Sequence, residues 1–209
     1  MPGAGCAIED SEAGNHRSEG TLDVSWYLRA GQPTGYYMFP LLKNNMMPTA
    51  GTGEGEQNCM TVREAEVDLK LGALGDAVET TKYKVPTAVT VCPGQTRAVQ
   101  LLVIPPQIVE SIASRIPENG SEYASVKIRM IAKRGRTTIK SNSFTFPINI
   151  CNGCLIKNLG NCDSPAIPND PDIGNDCNPA QDDRLECCTS GVEWICPAES
   201  TYEQRPPDG

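Results

Sequence analysis

Apolar and polar residues alternate with a period of two along much of the first 150 residues, the signature of half-buried β-strands. Leu22, Val24, Trp26 and Leu28 fall on one face, with Asp23, Ser25 and Arg29 on the other. Ala65, Val67, Leu69 and Leu71 alternate with Glu64, Glu66, Asp68 and Lys70, and Tyr83, Val85, Val89 and Val91 continue the habit. Ala124, Val126, Ile128, Met130 and Ala132 are separated by Ser125, Lys127, Arg129 and Ile131. After a turn at Lys133–Arg136, Phe144, Phe146, Ile148 and Ile150 form a last strand. The apolar phase slips by one between Ile139 and Phe144, which predicts a β-bulge near Ser141–Ser143. Strands with one buried and one wet face belong to antiparallel sheets. The chain is therefore expected to be mainly β, an antiparallel immunoglobulin- or fibronectin-like sandwich. One short helix interrupts it. Pro105-Pro106 opens Gln107–Ile116, where Ile108, Val109, Ile112, Ala113 and Ile116 share a stripe suited to plug one end of the sandwich.

Composition changes sharply at Ile150. Residues 1–150 hold 15 basic and 15 acidic side chains, whereas residues 151–209 hold 3 basic and 11 acidic ones, so the whole net charge of -8 lies in the tail. Seven of the ten cysteines lie there too: Cys151, Cys154, Cys162, Cys177, Cys187, Cys188 and Cys196. The tail is rich in Pro, Asn, Asp and Gly and buries too little apolar surface to offset its ordering entropy, so cross-links must hold it. Three parts are expected: an N-terminal tether over residues 1–20, a β-sandwich over 21–150, and a loop-rich, disulfide-stapled acidic tail over 151–209. Cysteine-dense segments belong to oxidising compartments, which predicts an extracytoplasmic protein of the outer membrane or extracellular space. Met1–Gly5 lacks the basic start and apolar run of a secretory signal, so either the signal has been removed or the protein is cytosolic, and the cysteine pattern favours the first.

The candidate chemistry is mostly structural. The tail spacing contains one C-x2-C, Cys151/Cys154, whereas a zinc site calls for two such pairs or Cys/His mixtures. The vicinal Cys187-Cys188 pair is expected to bond to two different partners, and Cys59 and Cys92 are expected to bridge two strands. Cys6 follows the small residues Pro2–Gly5 and precedes a polar stretch, as a lipidated cysteine ahead of its tether would; its alternative is one more disulfide. Asp170, Asp172, Gly174 and Asp176 read D-x-D-x-G-x-D, part of a calcium loop, although a solvated acidic turn is the simpler reading. No cofactor other than calcium is suggested. Lys127, Arg129, Lys133, Arg134, Arg136 and Lys140 make a basic hairpin, which could meet anionic lipid head groups, acidic glycans or the chain's own acidic tail, although a solvated strand edge guarded by Lys and Arg is the simpler reading. The acidic balance argues against nucleic-acid binding. The sequence carries no G-x-S-x-G, H-E-x-x-H or phosphate-cradling glycine loop, and its one histidine, His16, lies in the tether. The protein is expected not to be an enzyme.

Three stretches, YYMFPLLKNNM (Tyr36–Met46), SNSFTFPINICNGCLI (Ser141–Ile156) and CNPAQDDRLECCT (Cys177–Thr189), together resemble cysteine-rich cell-envelope lipoproteins of myxobacterial type. The resemblance implies a lipid anchor at Cys6, a β-sandwich and tail disulfides, and no reaction. The expected function is a non-enzymatic structural or adhesive role, with the membrane (through the anchor) or an envelope protein as partner. The first alternative is a filament or appendage subunit, a homo-oligomer assembling by strand addition. The second is a secreted glycan-binding module or hydrolase, for which the 11 aromatic residues make a thin supply.

Overall fold

The computed structural model describes residues 17–31, 33–49, 58–164, 168, 171–175 and 178–196. The chain opens with β1 (Gly20–Asp23), α1 (Ser25–Ala30), β2 (Tyr36–Met38), β3 (Leu41–Lys43) and β4 (Met60–Lys70). A 3-10 turn over Gly72–Ala77 leads to β5 (Lys82–Val91), β6 (Thr96–Ala98), β7 (Leu101–Ile104) and α2 (Pro106–Ala113). Then come β8 (Ser121–Arg134), β9 (Thr137–Lys140) and β10 (Phe144–Cys151), followed in the tail by β11 (Ile156–Asn161), β12 (Leu185–Ser190) and β13 (Glu193–Ile195).

The protein is mainly β. Its principal sheet has the order β1-β10-β8-β4-β5, with β9 also on β8, and it curls into a half-barrel. Alternation sets its inner face: Ala65, Val67 and Leu69 of β4, Ala124, Val126, Ile128 and Met130 of β8, and Phe146, Ile148 and Ile150 of β10 are all buried. No second full sheet faces them among the described residues. The cover is two short antiparallel ribbons, β2–β7 and β3–β6, together with α2 and the 3-10 turn. The outer face carries a charge ladder, with Glu64–Lys84 and Glu66–Lys140 each at 2.7 Å and Asp68–Lys82 at 3.6 Å.

The bulge and the helix lie where the pattern puts them. β9 and β10 form one interrupted strand along β8: Lys140 pairs Ile131 and Phe144 pairs Ile128, so Ser141–Ser143 face only Arg129 and Met130. In α2, Ile108, Val109, Ile112 and Ala113 are buried. The first strand differs from expectation. The Leu22–Leu28 alternation ends at Asp23, and Ser25–Ala30 is helical. The reason is the Asp23 carboxylate, which accepts the backbone N–H of Ser25 and turns the chain. Leu28 is exposed as a result, and Trp26 packs against the tail instead of the main core. β1 also runs parallel to β10, the one parallel pairing in an otherwise antiparallel sheet.

The tail forms its own three-stranded sheet, β11-β12-β13, around a small cluster of Ile156, Leu185 and Cys187. Its disulfides among the described residues are Cys151–Cys154, Cys162–Cys188 and Cys187–Cys196, and Cys59–Cys92 joins the entrance of β4 to the exit of β5. The vicinal pair thus bonds in two directions. Such cross-links are those of an oxidising, extracytoplasmic environment. No helix among the described residues is long and apolar enough to cross a membrane.

Asp23 joins the two parts. It is fully buried, and besides Ser25 its carboxylate accepts the N–H groups of Gly153 (2.8 Å), Leu155 (2.7 Å) and Ile156 (3.1 Å). Replacing Asp23 by Ala strips four buried or part-buried donors of their acceptor. The expected loss is about 3–5 kcal/mol in urea unfolding, and a loss below about 1 kcal/mol would show that other acceptors stand in.

Candidate functional site

The sheet and the ribbons do not close on each other. Between them runs a cleft of about 1000 Å³. Its sheet wall is Ile128, Met130 and Ala132 of β8, Met60 and Val62 of β4, Val91 of β5, and Phe144 and Phe146 of β10. The facing wall is the continuous stretch Tyr36–Lys43, with Ala98 behind it and Ile139, Ser141 and Asn142 along the rim. Alternation on β8 aims every second side chain into the space, so the cleft follows β8 for roughly 13 Å between Ile128 and Ala132. Tyr36, Tyr37, Phe39, Phe144 and Phe146 supply five of the chain's 11 aromatic rings. Met38, Met60 and Met130 add flexible thioethers that adapt to irregular apolar ligands. Volume and lining match those of pockets that bury apolar ligands.

One end of the cleft is polar and is built by the tail. Asp182 accepts from the Thr21 N–H (2.7 Å), from the Tyr36 hydroxyl (3.1 Å to each carboxylate oxygen) and from the Gln181 amide (3.1 Å). The Gln181 side chain in turn accepts from the Tyr37 N–H (2.9 Å) and donates to the Tyr37 carbonyl (2.7 Å), replacing a neighbouring strand along β2. Arg17 closes the group, donating to Asp183 at 2.6 Å and to the Asp182 carbonyl at 3.2 Å. Gly20 admits this packing, since a Cβ there would lie 1.8 Å from the Tyr36 hydroxyl. Asp182 has a φ of 66°, a left-handed conformation that Asp tolerates better than most residues. Burial raises the Asp182 carboxyl pKa above the usual range, against the opposing hydrogen bonds and Arg17. Burial beside Asp182 likewise pushes the Tyr36 phenol far up, so it stays a proton donor.

The residues singled out by sequence fall elsewhere. Cys59, Cys92, Cys151, Cys154, Cys162, Cys187, Cys188 and Cys196 are disulfide-bonded and structural. Cys6 and Cys177 lie outside the described residues, as do Asp170, Asp176 and His16. Asp172 is exposed, and its backbone exchanges hydrogen bonds with Glu186 through its N–H and its carbonyl. Asp23, Cys151 and Cys154 place one ligand atom each within 4.8 Å of the others, but the sulfurs are bonded together and the carboxylate already holds four N–H groups. That geometry serves folding. The basic hairpin divides: Lys140 pairs with Glu66 on the outer face, whereas Arg134 reaches Met46 at 3.5 Å, near the far end of the cleft.

Sequence reasoning missed the cleft itself. Its signal was the dense aromatic and aliphatic run Tyr36–Leu42, too short and too uniformly apolar to read as an alternating strand. Compared with models of known protein families and with curated proteins, the chain matches none.

The Asp182 carboxyl gives a pH test. Its folded pKa lies above the unfolded value, so the native carboxylate costs stability above that pKa, and the cost is relieved as pH falls through it. The wild type is therefore expected to gain stability relative to Asp182→Asn as pH falls from neutral toward the carboxylate range. Urea melts of both proteins across that range measure it, and parallel curves would mean that the carboxyl titrates normally.

Proposed function

We propose that this chain is a non-enzymatic, extracytoplasmic binding protein that seats an elongated apolar ligand in the cleft between half-barrel and ribbons. The observation that carries the reading is the cleft itself: about 1000 Å³, lined chiefly by aliphatic, aromatic and thioether side chains. Holding a partner by an apolar group seated there gives the protein an adhesive or structural role at the cell surface. A lipid anchor at Cys6, as the resemblance implies, would keep it at the outer membrane. As a fold, we read it as an immunoglobulin- or fibronectin-like sandwich whose second layer is reduced to two ribbons.

The reading is tested with an environment-sensitive apolar dye. The wild type is expected to bind one dye per chain with enhanced fluorescence. Leu42→Arg and Ile139→Arg, at half-buried positions on the ribbon wall and on the rim, are expected to weaken binding roughly tenfold without loss of the β-sheet signal. Binding that ignores both substitutions would locate the dye elsewhere and remove the basis for the proposal.

A second reading rests on a separate observation. Beyond β1, which pairs only Ile148–Cys151, the outer edge of β9 and β10 from Thr137 to Pro147 has no strand partner among the described residues. An extended segment from another copy could add there, giving the filament subunit. Sedimentation over a wide concentration range should then show reversible assembly that a proline at Thr145 abolishes. A monomer at every concentration would sink this reading.

A further inference from the structure

Resting on the reading of the cleft as a binding site, the geometry points to a ligand class: a single-chain amphiphile with an anionic head. The two ends of the cleft are electrostatically unlike. At the tail end the only cation among the described residues lining the cleft, Arg17, is neutralised by Asp183 and sits beside Asp182. At the other end Lys43 lines the cleft and is exposed. Arg134 reaches the same place: Thr61 pairs Lys133 across the antiparallel ladder, which sets Arg134 opposite the cleft residue Met60, and its guanidinium touches Met46. Arg136 follows in the exposed turn of the β8–β9 hairpin, and Lys133, the strand neighbour of Arg134, points to the other face and donates to the Thr138 hydroxyl at 2.5 Å.

None of these four cations has a carboxylate partner among the described residues. This sets them apart from Lys82, Lys84 and Lys140 on the outer face, each of which pairs with an acid. Clustered cations without counter-charges create a local positive potential, felt most where low-dielectric walls adjoin it. An acyl chain lying along Ile128, Met130 and Ala132 would bring its head group out at Lys43 and Arg134. A carboxylate or a phosphate monoester satisfies the same two donors, since both offer oxygens to an ammonium and a guanidinium. Two of the chain's own segments outside the described residues suit the space poorly. Residues 1–16 carry Ile8 as their one large branched apolar side chain, and residues 50–57 carry none.

The experiment is displacement of the bound dye by amphiphiles of equal chain length, each below its micelle concentration: dodecanoate, dodecyl phosphate, dodecanol and dodecyltrimethylammonium. The expected result is that both anions displace the dye at concentrations roughly tenfold lower than the alcohol, with the cation weakest. The anion preference should shrink as salt is raised. Comparing dodecanoate with dodecyl phosphate tells a fatty-acid head from a phosphate-bearing one. Lys43→Glu and Arg134→Glu, both exposed, are expected to abolish the anion preference, read within each variant as the ratio of anion to dodecanol displacement. If all four displace equally, or if the charge reversals leave the preference intact, the head-group site is overturned and the apolar cleft stands. If the wild type does not bind the dye, both the site and the reading beneath it fall.

Discussion

A single carboxylate sets how the parts of this molecule meet. Asp23 lies fully buried at the end of β1 and gathers four backbone N–H groups, one from the turn into α1 and three from the first residues of the tail. A buried charge is tolerable only when such donors surround it. The requirement works in both directions: the strand must stop at Asp23, and the tail must begin by wrapping it. The Cys151–Cys154 bridge closes that wrap, and Val24 donates to the Cys151 carbonyl at 2.8 Å. From this junction the tail is directed back along β1, where Asp182 N–H meets the Thr21 carbonyl and Gln181 bridges to Leu22.

The cleft follows from unequal layers. One side of the core is a continuous sheet, held by long ladders between β4, β5, β8 and β10. The other side is two ribbons of three to four residues, which cannot span the same width. Apolar side chains of β8 and β10 therefore continue past the point where the ribbons end. Asn44 keeps the gap from collapsing at its far end. Its buried amide donates to the carbonyls of Asn58 and Val91 at 2.9 Å each, tying the exit of β3 to the sheet. The tail's polar cluster props the other end. The space is thus held open by hydrogen bonds, while its walls are apolar.

What could be read from the sequence was whatever depends on local periodicity. The strands containing Val67, Ile128 and Ile148 show their buried face by alternation, and α2 shows its stripe. The bulge at Ser141–Ser143 was legible because a slipped phase needs an extra residue. The break after Asp23 was not, because Trp26 and Leu28 keep the alternation going in sequence, while the carboxylate that turns the chain at Ser25 is held in place by donors 130 residues and more away. The polar end of the cleft was hidden for the same reason. Gln181 and Asp182 sit in a stretch that reads as solvated acidic loop, and only their docking against Tyr36 and Tyr37 gives them partners. Opposed charges were legible as a tally, but their separation to the two ends of one cleft is a property of the fold.

The adjacent cysteines of β12 have a mechanical consequence. Successive side chains of a strand point to opposite faces, so Cys187 and Cys188 are bonded on opposite sides, to Cys196 and to Cys162. A strand pinned from both faces can neither roll about its axis nor slip by one residue against β11 and β13. Its apolar cluster, three buried residues, is too small to enforce that register alone. Covalent bonds therefore perform the alignment that a hydrophobic core performs elsewhere. The segment leading into β12 then arrives at the cleft in one position only, with Gln181 opposite Tyr37 and Asp182 opposite Tyr36.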